Sequence, residues 1–380
     1  MTSSLRDRVD AVIDTTLRDR RIVGTVTLVA EKGEVIYRRA AGFSDREAGQ
    51  AMREDQLFRL SSVTKPVVSA AAMALIEQGK IAFGDPVRRW LPDFRPRLAD
   101  GSEPAITIRH LLTHTSGLGY AFGEPDDGPY RRAGISDGMD QPSLELEENL
   151  RRIASVPLLF APGARWNYGL SLDVLGAVLA RAADAPLPEV VRRLVTGPLG
   201  MRDTEFWAVD RARLAVAYAD GEPEPVVMHD DHVIPFLSGG IRYAPSRALD
   251  PTSYPSGGAG MVGSAQDILV LLQTLCAGGS QILSEASVRA MTSDQIAPLT
   301  VDLRGPGWGF GFGAAILTAP ELAQSPQSAG TYGWGGVYGH SWFVDPVRKI
   351  VVVSLTNTAL AGMTGAYPVA LRDAVYGVGT

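Results

Sequence analysis

The position of the strand-like runs constrains the fold most. Branched and aromatic runs sit at the two ends of the chain, and a proline- and loop-rich stretch with helical patterning separates them. Gly24 to Ala30 (GTVTLVA) and Val35 to Ala41 (VIYRRAA) flank the turn EKGE, which predicts a hairpin. Near the other end, GWGFGFGAAIL, GVYGHSWFVDP and KIVVVSLTNT follow one another as three strand-like runs. Consecutive strands joined by short turns pair antiparallel. The N-terminal hairpin can complete that sheet. The expected fold class is therefore α+β, an antiparallel sheet flanked by helices. Residues 1–80 and 256–380 supply the sheet domain, and 81–255 form an inserted, mainly helical domain. A cleft between the two is the natural ligand site.

The helical segments follow from apolar spacing. Leu5, Val9, Val12, Ile13 and Leu17 mark a surface helix near the N-terminus. Ser62 to Gln78 is apolar and alanine-rich and stops at Gly79. Further helices are expected over 144–154, 171–183, 187–195, 264–276 and 367–375.

Composition excludes several function classes. At 380 residues and 45% apolar, the chain suits one large or two modest globular domains. Its 36 basic and 42 acidic residues leave a net charge of −6, which is no nucleic-acid footprint. A single cysteine, Cys276, rules out an internal disulfide and a cysteine metal cluster, and its place on an apolar helix face reads as a buried structural thiol. The N-terminal stretch lacks an apolar h-region and no run approaches a membrane span, so a cytoplasmic protein with no membrane partner is expected. Oligomeric state, monomer or homodimer, is open.

Catalytic signatures narrow the field further. The elbow G-x-S-x-G and the zinc motif H-E-x-x-H are both absent. The five histidines (His110, His114, His229, His232 and His340) form no convincing metal set. His229 and His232 share the acidic loop MHDDHVIP, where a surface metal is the lesser reading. His114 and His340 read as satisfied structural histidines. No metal and no cofactor is implied.

One S-x-x-K motif is present, Ser62-Val63-Thr64-Lys65. Its 25 serines and 4 lysines give about a quarter of a match by chance, so the motif alone is weak. Its setting adds weight. One helical turn brings positions i and i+3 side by side, and unpaired N–H groups at a helix start favour an attacking alkoxide. Proton transfer near neutral pH needs Lys rather than Arg, and this chain otherwise prefers Arg, 32 to 4. Against that stands the plain reading of Ser62 as a helix cap and Lys65 as a first-turn surface residue. These residues alone leave the two readings about even.

Longer segments carry a resemblance. RLSSVTKPVVSAAAMALIEQGKI resembles the nucleophile segment of class C β-lactamases, penicillin-binding proteins and their esterase relatives, and ITIRHLLTHTSGLGY resembles the stretch that follows it. FAPGARWNYGLSLDVLGAVLARA is similar to the tyrosine motif of that superfamily, and YGWGGVYGHSWFVDP stands where it keeps K-T-G. The likeness extends to the family VIII carboxylesterases through WLPDFRPRLADGSEP, YPSGGAGM and RGPGWGFG. The resemblance implies a serine carboxylesterase that acts on small ester substrates. Ser62 would attack the acyl carbon, Tyr168 would relay the proton, and Lys65 would balance its charge. Which of Lys65 and Tyr168 is the base stays open. The backbone N–H groups of Ser62 and Val337 would form the oxyanion hole. Tyr120, Tyr130, Leu170, Trp334, Gly335 and Gly336 would line the substrate pocket.

Departures from the lactamase pattern steer the expected substrate. Leu170 stands where class C enzymes keep an asparagine, and Trp334 and Gly335 replace the lysine and threonine of the third motif. Those polar groups hold the amide and carboxylate of a β-lactam, so their loss disfavours such ligands and suits an uncharged acyl ester. Gly169 replaces a serine of the esterase relatives and leaves the tyrosine in place. An acyltransferase with the same acyl-enzyme, a weak β-lactamase, or a catalytically silent penicillin-binding-like module are the competing readings.

Overall fold

Ser4 opens the first helix, α1 (Leu5–Arg18), with a capping box: its hydroxyl accepts the Asp7 N–H while the Asp7 carboxylate accepts the Ser4 N–H. The chain then forms β1 (Gly24–Glu31) and β2 (Glu34–Asp45), paired around the EKGE turn, with β3 (Gln50–Ala51) added at the edge of β2. The other strands of the sheet come from the C-terminal part: β4 (Trp308–Phe310), β5 (Ala315–Leu317), β6 (Tyr332–Gly336), β7 (His340–Asp345) and β8 (Ile350–Thr356). In the computed structural model, which describes residues 3–279 and 281–378, the order is β4-β5-β6-β7-β8-β1-β2-β3, antiparallel at every step. The N-terminal hairpin does complete the C-terminal sheet, with Thr25 opposite Thr356 and Glu31 opposite Ile350.

Helices cover both faces of the sheet. They are α1, α2 (Thr64–Glu77), α3 (Ser171–Ala183), α4 (Ala265–Cys276) and α5 (Ala366–Tyr376). Side chains alternate along each strand. Val29 and Val352 therefore meet Val9, Ile13 and Leu371 from α1 and α5 on one face. Val26, Leu28, Val351, Val353 and Leu355 join α2 and α4 in the larger core on the other. All of α2 from Thr64 to Leu75 is buried, and each fully buried Val or Leu there contributes roughly 1.5–3 kcal/mol. Gly79, at φ +67, takes the left-handed position just past its end.

Some sequence expectations need correcting. GWGFGFGAAIL is two strands, β4 and β5, because Gly313 at φ +94 turns the chain, and its bare Cα lies where a Cβ would meet Ser69 Oγ at 2.6 Å. GVYGHSWFVDP begins in a turn: the Gly339 N–H donates to the Gly336 carbonyl, and β7 starts only at His340. The helix expected over 187–195 is α-helical only for Leu187–Val191 and continues as a wider π turn over Arg192–Thr196. The middle of the chain also holds a hairpin, His232–Phe236 with Gly239–Tyr243, that the helical reading did not anticipate. Leu57–Arg59 pairs with Val262–Ser264, which ties the segment before Ser62 to the start of α4. No helix among the described residues is long and apolar enough to cross a membrane.

His340 makes the fold sensitive to acid. Its Nε2 lies 2.7 Å from the Arg59 carbonyl, an acceptor, so Nε2 carries the proton. Nδ1 has no partner, and burial pushes the imidazole down to about 4. The unfolded chain binds this proton first, so the stability present above pH 6.5 is lost as pH falls toward 4, by about 3 kcal/mol. His340→Gln keeps a donor for Arg59 but does not titrate. Its urea midpoint is expected to fall less steeply over that pH range than that of the parent protein, and an unchanged slope would refute the assignment.

Candidate active site

The segment around Ser62 is built by a sharp change of direction. After Leu57–Arg59 the chain makes one 3₁₀ turn over Ser61–Val63 and enters α2 at Thr64. Ser61 sits at φ +42, a left-handed conformation for a residue with a Cβ, directly before Ser62. The turn is held from the sheet side, where the Tyr338 N–H donates to Ser61 Oγ at 3.3 Å. Gly336 presses against the same turn. A Cβ there would stand 2.6 Å from the Leu60 carbonyl and from Ser61 Oγ, so only glycine allows this approach.

Four side chains and one carbonyl converge behind Ser62. Lys65, fully buried one turn along α2, donates to Ser62 Oγ at 3.1 Å, to Tyr120 Oη at 3.1 Å and to the Gly258 carbonyl at 2.8 Å. Tyr168 Oη donates to Ser62 Oγ at 2.7 Å. Trp334 on β6 donates its indole N–H to Tyr168 Oη at 3.0 Å. Residues 106 positions apart in sequence thus share one hydroxyl. The surface-lysine reading of Lys65 does not survive its complete burial.

The other expected residues fall around this cluster. Val337 and Gly335 line the same cavity as Ser62, Tyr168 and Trp334, whose volume is about 470 Å³. Gly336 supports the Ser61 turn from outside that lining. Tyr120 and Tyr130 line a smaller adjoining recess of about 160 Å³, and Tyr130 Oη also accepts the Gly119 N–H at 2.8 Å. Burial pushes the Tyr120 phenol well above its ordinary range, and the neighbouring Tyr168 adds to the effect. Leu170 lies fully buried in the core, where it caps the start of α3, and does not line the cavity. Position 170 therefore offers no side-chain amide.

Several residues at the site escaped sequence reasoning. Asp173, on the first turn of α3, is buried and accepts from Ser256 Oγ, while its other oxygen has no partner. Burial pushes its carboxyl up and Lys65 draws it back down. A Cβ on Gly258 would lie 2.5 Å from Asp173 Oδ2 and 3.1 Å from Tyr120 Oη, so this acid stands directly beneath the Lys65 contacts. The sequence signal was an aspartate inside the apolar run LSLDVLGAV. His114 is half satisfied: Nδ1 accepts the Gly169 N–H at 3.3 Å, Nε2 has no partner, and burial with Lys65 nearby holds the ring well below its ordinary range. It anchors the backbone beside Tyr168. Phe236 and Leu237, from the unanticipated hairpin, reach the cavity wall.

Comparison with known proteins shows the family and the fold. The chain is 55% identical to esterase EstB of Burkholderia gladioli over 377 residues, 98% of this chain and 96% of that one. The solved structure of EstCE1, described as a hydrolase with promiscuous acyltransferase activity, superposes with a TM-score of 0.94 at 50% identity, covering 98% of both chains. Simvastatin synthase from Aspergillus terreus shares the fold at a TM-score of 0.76 and 22% identity, again over 98% of each chain. The beta-lactamase family profile matches residues 9–374, nearly the whole chain, and the protein is a member of the beta-lactamase family.

Proposed function

We propose that the protein is a serine carboxylesterase that cleaves short-chain esters through an acyl-enzyme on Ser62. The observation that carries this reading is the shared Ser62 hydroxyl, held at 2.7 Å by Tyr168 and at 3.1 Å by buried Lys65. Ser62 Oγ attacks the ester carbon as its proton passes to the Tyr168–Lys65 pair, one member of which enters the step deprotonated, so that the Tyr168 hydroxyl ends the step protonated. The carbonyl oxygen gathers charge against the Ser62 and Val337 N–H groups. Tyr168 returns the proton to the departing alkoxide, which leaves as the alcohol. Water then repeats the sequence on the acyl-enzyme and releases the acid. Throughout, the Trp334 N–H, which donates to Tyr168 Oη, and Lys65, whose Nζ lies 4.7 Å from the centre of the Tyr168 ring, steady the charge on the tyrosine oxygen. The relatives support the reaction class, since EstB and EstCE1 are named as an esterase and a hydrolase.

Substrate preference follows from the wall. Trp334 and Gly335 offer neither ammonium nor hydroxyl from β6. A buried polar ligand group left unpaired costs about 1–3 kcal/mol. With p-nitrophenyl acetate, butyrate and longer esters compared against nitrocefin, the short esters are expected to turn over at least about 10²-fold faster than nitrocefin in kcat/KM. Nitrocefin turnover equal to that of the esters would move the protein to the β-lactamases.

A further inference from the structure

The cavity that holds Ser62 has an unusual charge pattern. Its wall is largely aromatic and aliphatic and contains no aspartate or glutamate, in a chain whose net charge is −6. Two arginines line it. Arg372 is tied to Asp373, with Nε 2.8 Å from Oδ1. Arg304 is not: among the described residues no carboxylate lies within ion-pair reach and no acceptor takes its N–H groups. Its neighbour Asp302 lines the adjoining recess instead. Arg304 is solvent-exposed at the rim of the cavity, and its guanidinium carbon lies over two indoles, 5.1 Å from the Trp334 ring centroid and 5.2 Å from that of Trp308. A guanidinium attracted to aromatic faces keeps its N–H donors available. A cation with unused donors, in a wall without acids, is a receptor for a planar anion such as a carboxylate.

The geometry also gives the direction. Trp334 touches both ends of the problem: its N–H donates to Tyr168 Oη and its ring carries Arg304. Tyr168 is the group that protonates the leaving oxygen, so the alcohol part of the substrate runs along this indole, and the acyl oxygen points at the Ser62 and Val337 amides. We infer that Arg304 binds a carboxylate on the leaving alcohol, so that the esters this site selects are O-acylated hydroxy acids with an uncharged acyl group. The inference rests on the roles proposed above for Ser62 and Tyr168. The cation missing from the third motif is thereby resupplied from the loop before β4.

Two substrate pairs test it. The first is 4-acetoxybenzoate and its neutral isostere 4-acetoxybenzamide, with the charge on the alcohol. The second is p-nitrophenyl hemiglutarate and p-nitrophenyl valerate, with the charge on the acyl group. The readout is the charged-to-neutral ratio of kcat/KM in Arg304→Gln and Arg304→Lys divided by the parent value, which cancels intrinsic reactivity. In Arg304→Gln the ratio for the first pair is expected to fall about tenfold or more, with Arg304→Lys between the two. Added salt should lower the parent ratio as well. A ratio for the first pair that stays within about twofold of the parent, or a fall confined to the second pair, overturns the inference. Hydrolysis of both acetates that depends on Ser62 but ignores Arg304 sinks this proposal alone. If the parent protein hydrolyses none of the four esters, the esterase reading itself fails, and this proposal with it.

Discussion

Ser62→Ala is expected to lower kcat/KM for p-nitrophenyl acetate by about 10⁴-fold or more, down to the background of the activated ester. The size follows from the architecture of the site. Removing Oγ deletes the proposed nucleophile and also the atom that Tyr168 and Lys65 share, so no neighbouring hydroxyl can take its place in the same network. Ser61 is adjacent in sequence, but its hydroxyl is committed to the Tyr338 N–H and lies under Gly336. The folded state should be little affected, because alanine fits a 3₁₀ turn and leaves no large cavity. An unchanged urea midpoint together with lost activity separates chemistry from collapse. If the variant keeps ester activity above a few per cent, the nucleophile is misassigned.

Tyr168→Phe is expected to cost about 10²–10⁴ in kcat with a much smaller change in KM. Phenylalanine keeps the ring, which packs 5.1 Å from both Tyr120 and Trp334 and 4.9 Å from His114, and so preserves the wall. It removes only the oxygen proposed to hand the proton between Ser62 and the leaving group. The Trp334 N–H then loses its acceptor in a buried place, which adds a modest stability cost of about 1–3 kcal/mol. A Tyr168→Phe enzyme with near-parental kcat would leave Lys65 as the sole acid/base group and would remove Tyr168 from the mechanism.

The sequence revealed the fold where periodicity was strong and local. The GTVTLVA and KIVVVSLTNT runs alternate between two buried faces, and the N-terminal hairpin completes the C-terminal sheet by pairing β1 with β8. Patterning failed where glycine erased it. Gly313 and Gly339 split apparent single strands into hairpins, and neither turn carries an Asn-Gly or Asp-Gly signal. The hairpin of residues 232–243 was masked by Pro235 and two consecutive glycines.

The site divides in the same way. Ser62 and Lys65 are three residues apart on one turn, so their contact could be anticipated from spacing alone. Tyr168 could be placed only through resemblance, because nothing local in RWNYG points at residue 62. Asp173 and Arg304 were illegible for a different reason. Each looks ordinary in sequence, an acid on a helix and a basic loop residue. Each becomes distinctive only in its surroundings, Asp173 by burial beneath Lys65 and Arg304 by lying over two indoles at the rim of the cavity. Leu170 shows the converse. Its position in the motif suggested a pocket wall, but the first turn of α3 points it into the core.

The central claim is that Ser62 is the group that becomes acylated. Labelling with a fluorophosphonate, followed by proteolysis and mass mapping of the modified peptide, tests it most directly. The account predicts a single adduct on Ser62, formed faster than at any other hydroxyl and abolished in Ser62→Ala. An adduct on a different residue, or equal labelling of the Ser62→Ala protein, would contradict it.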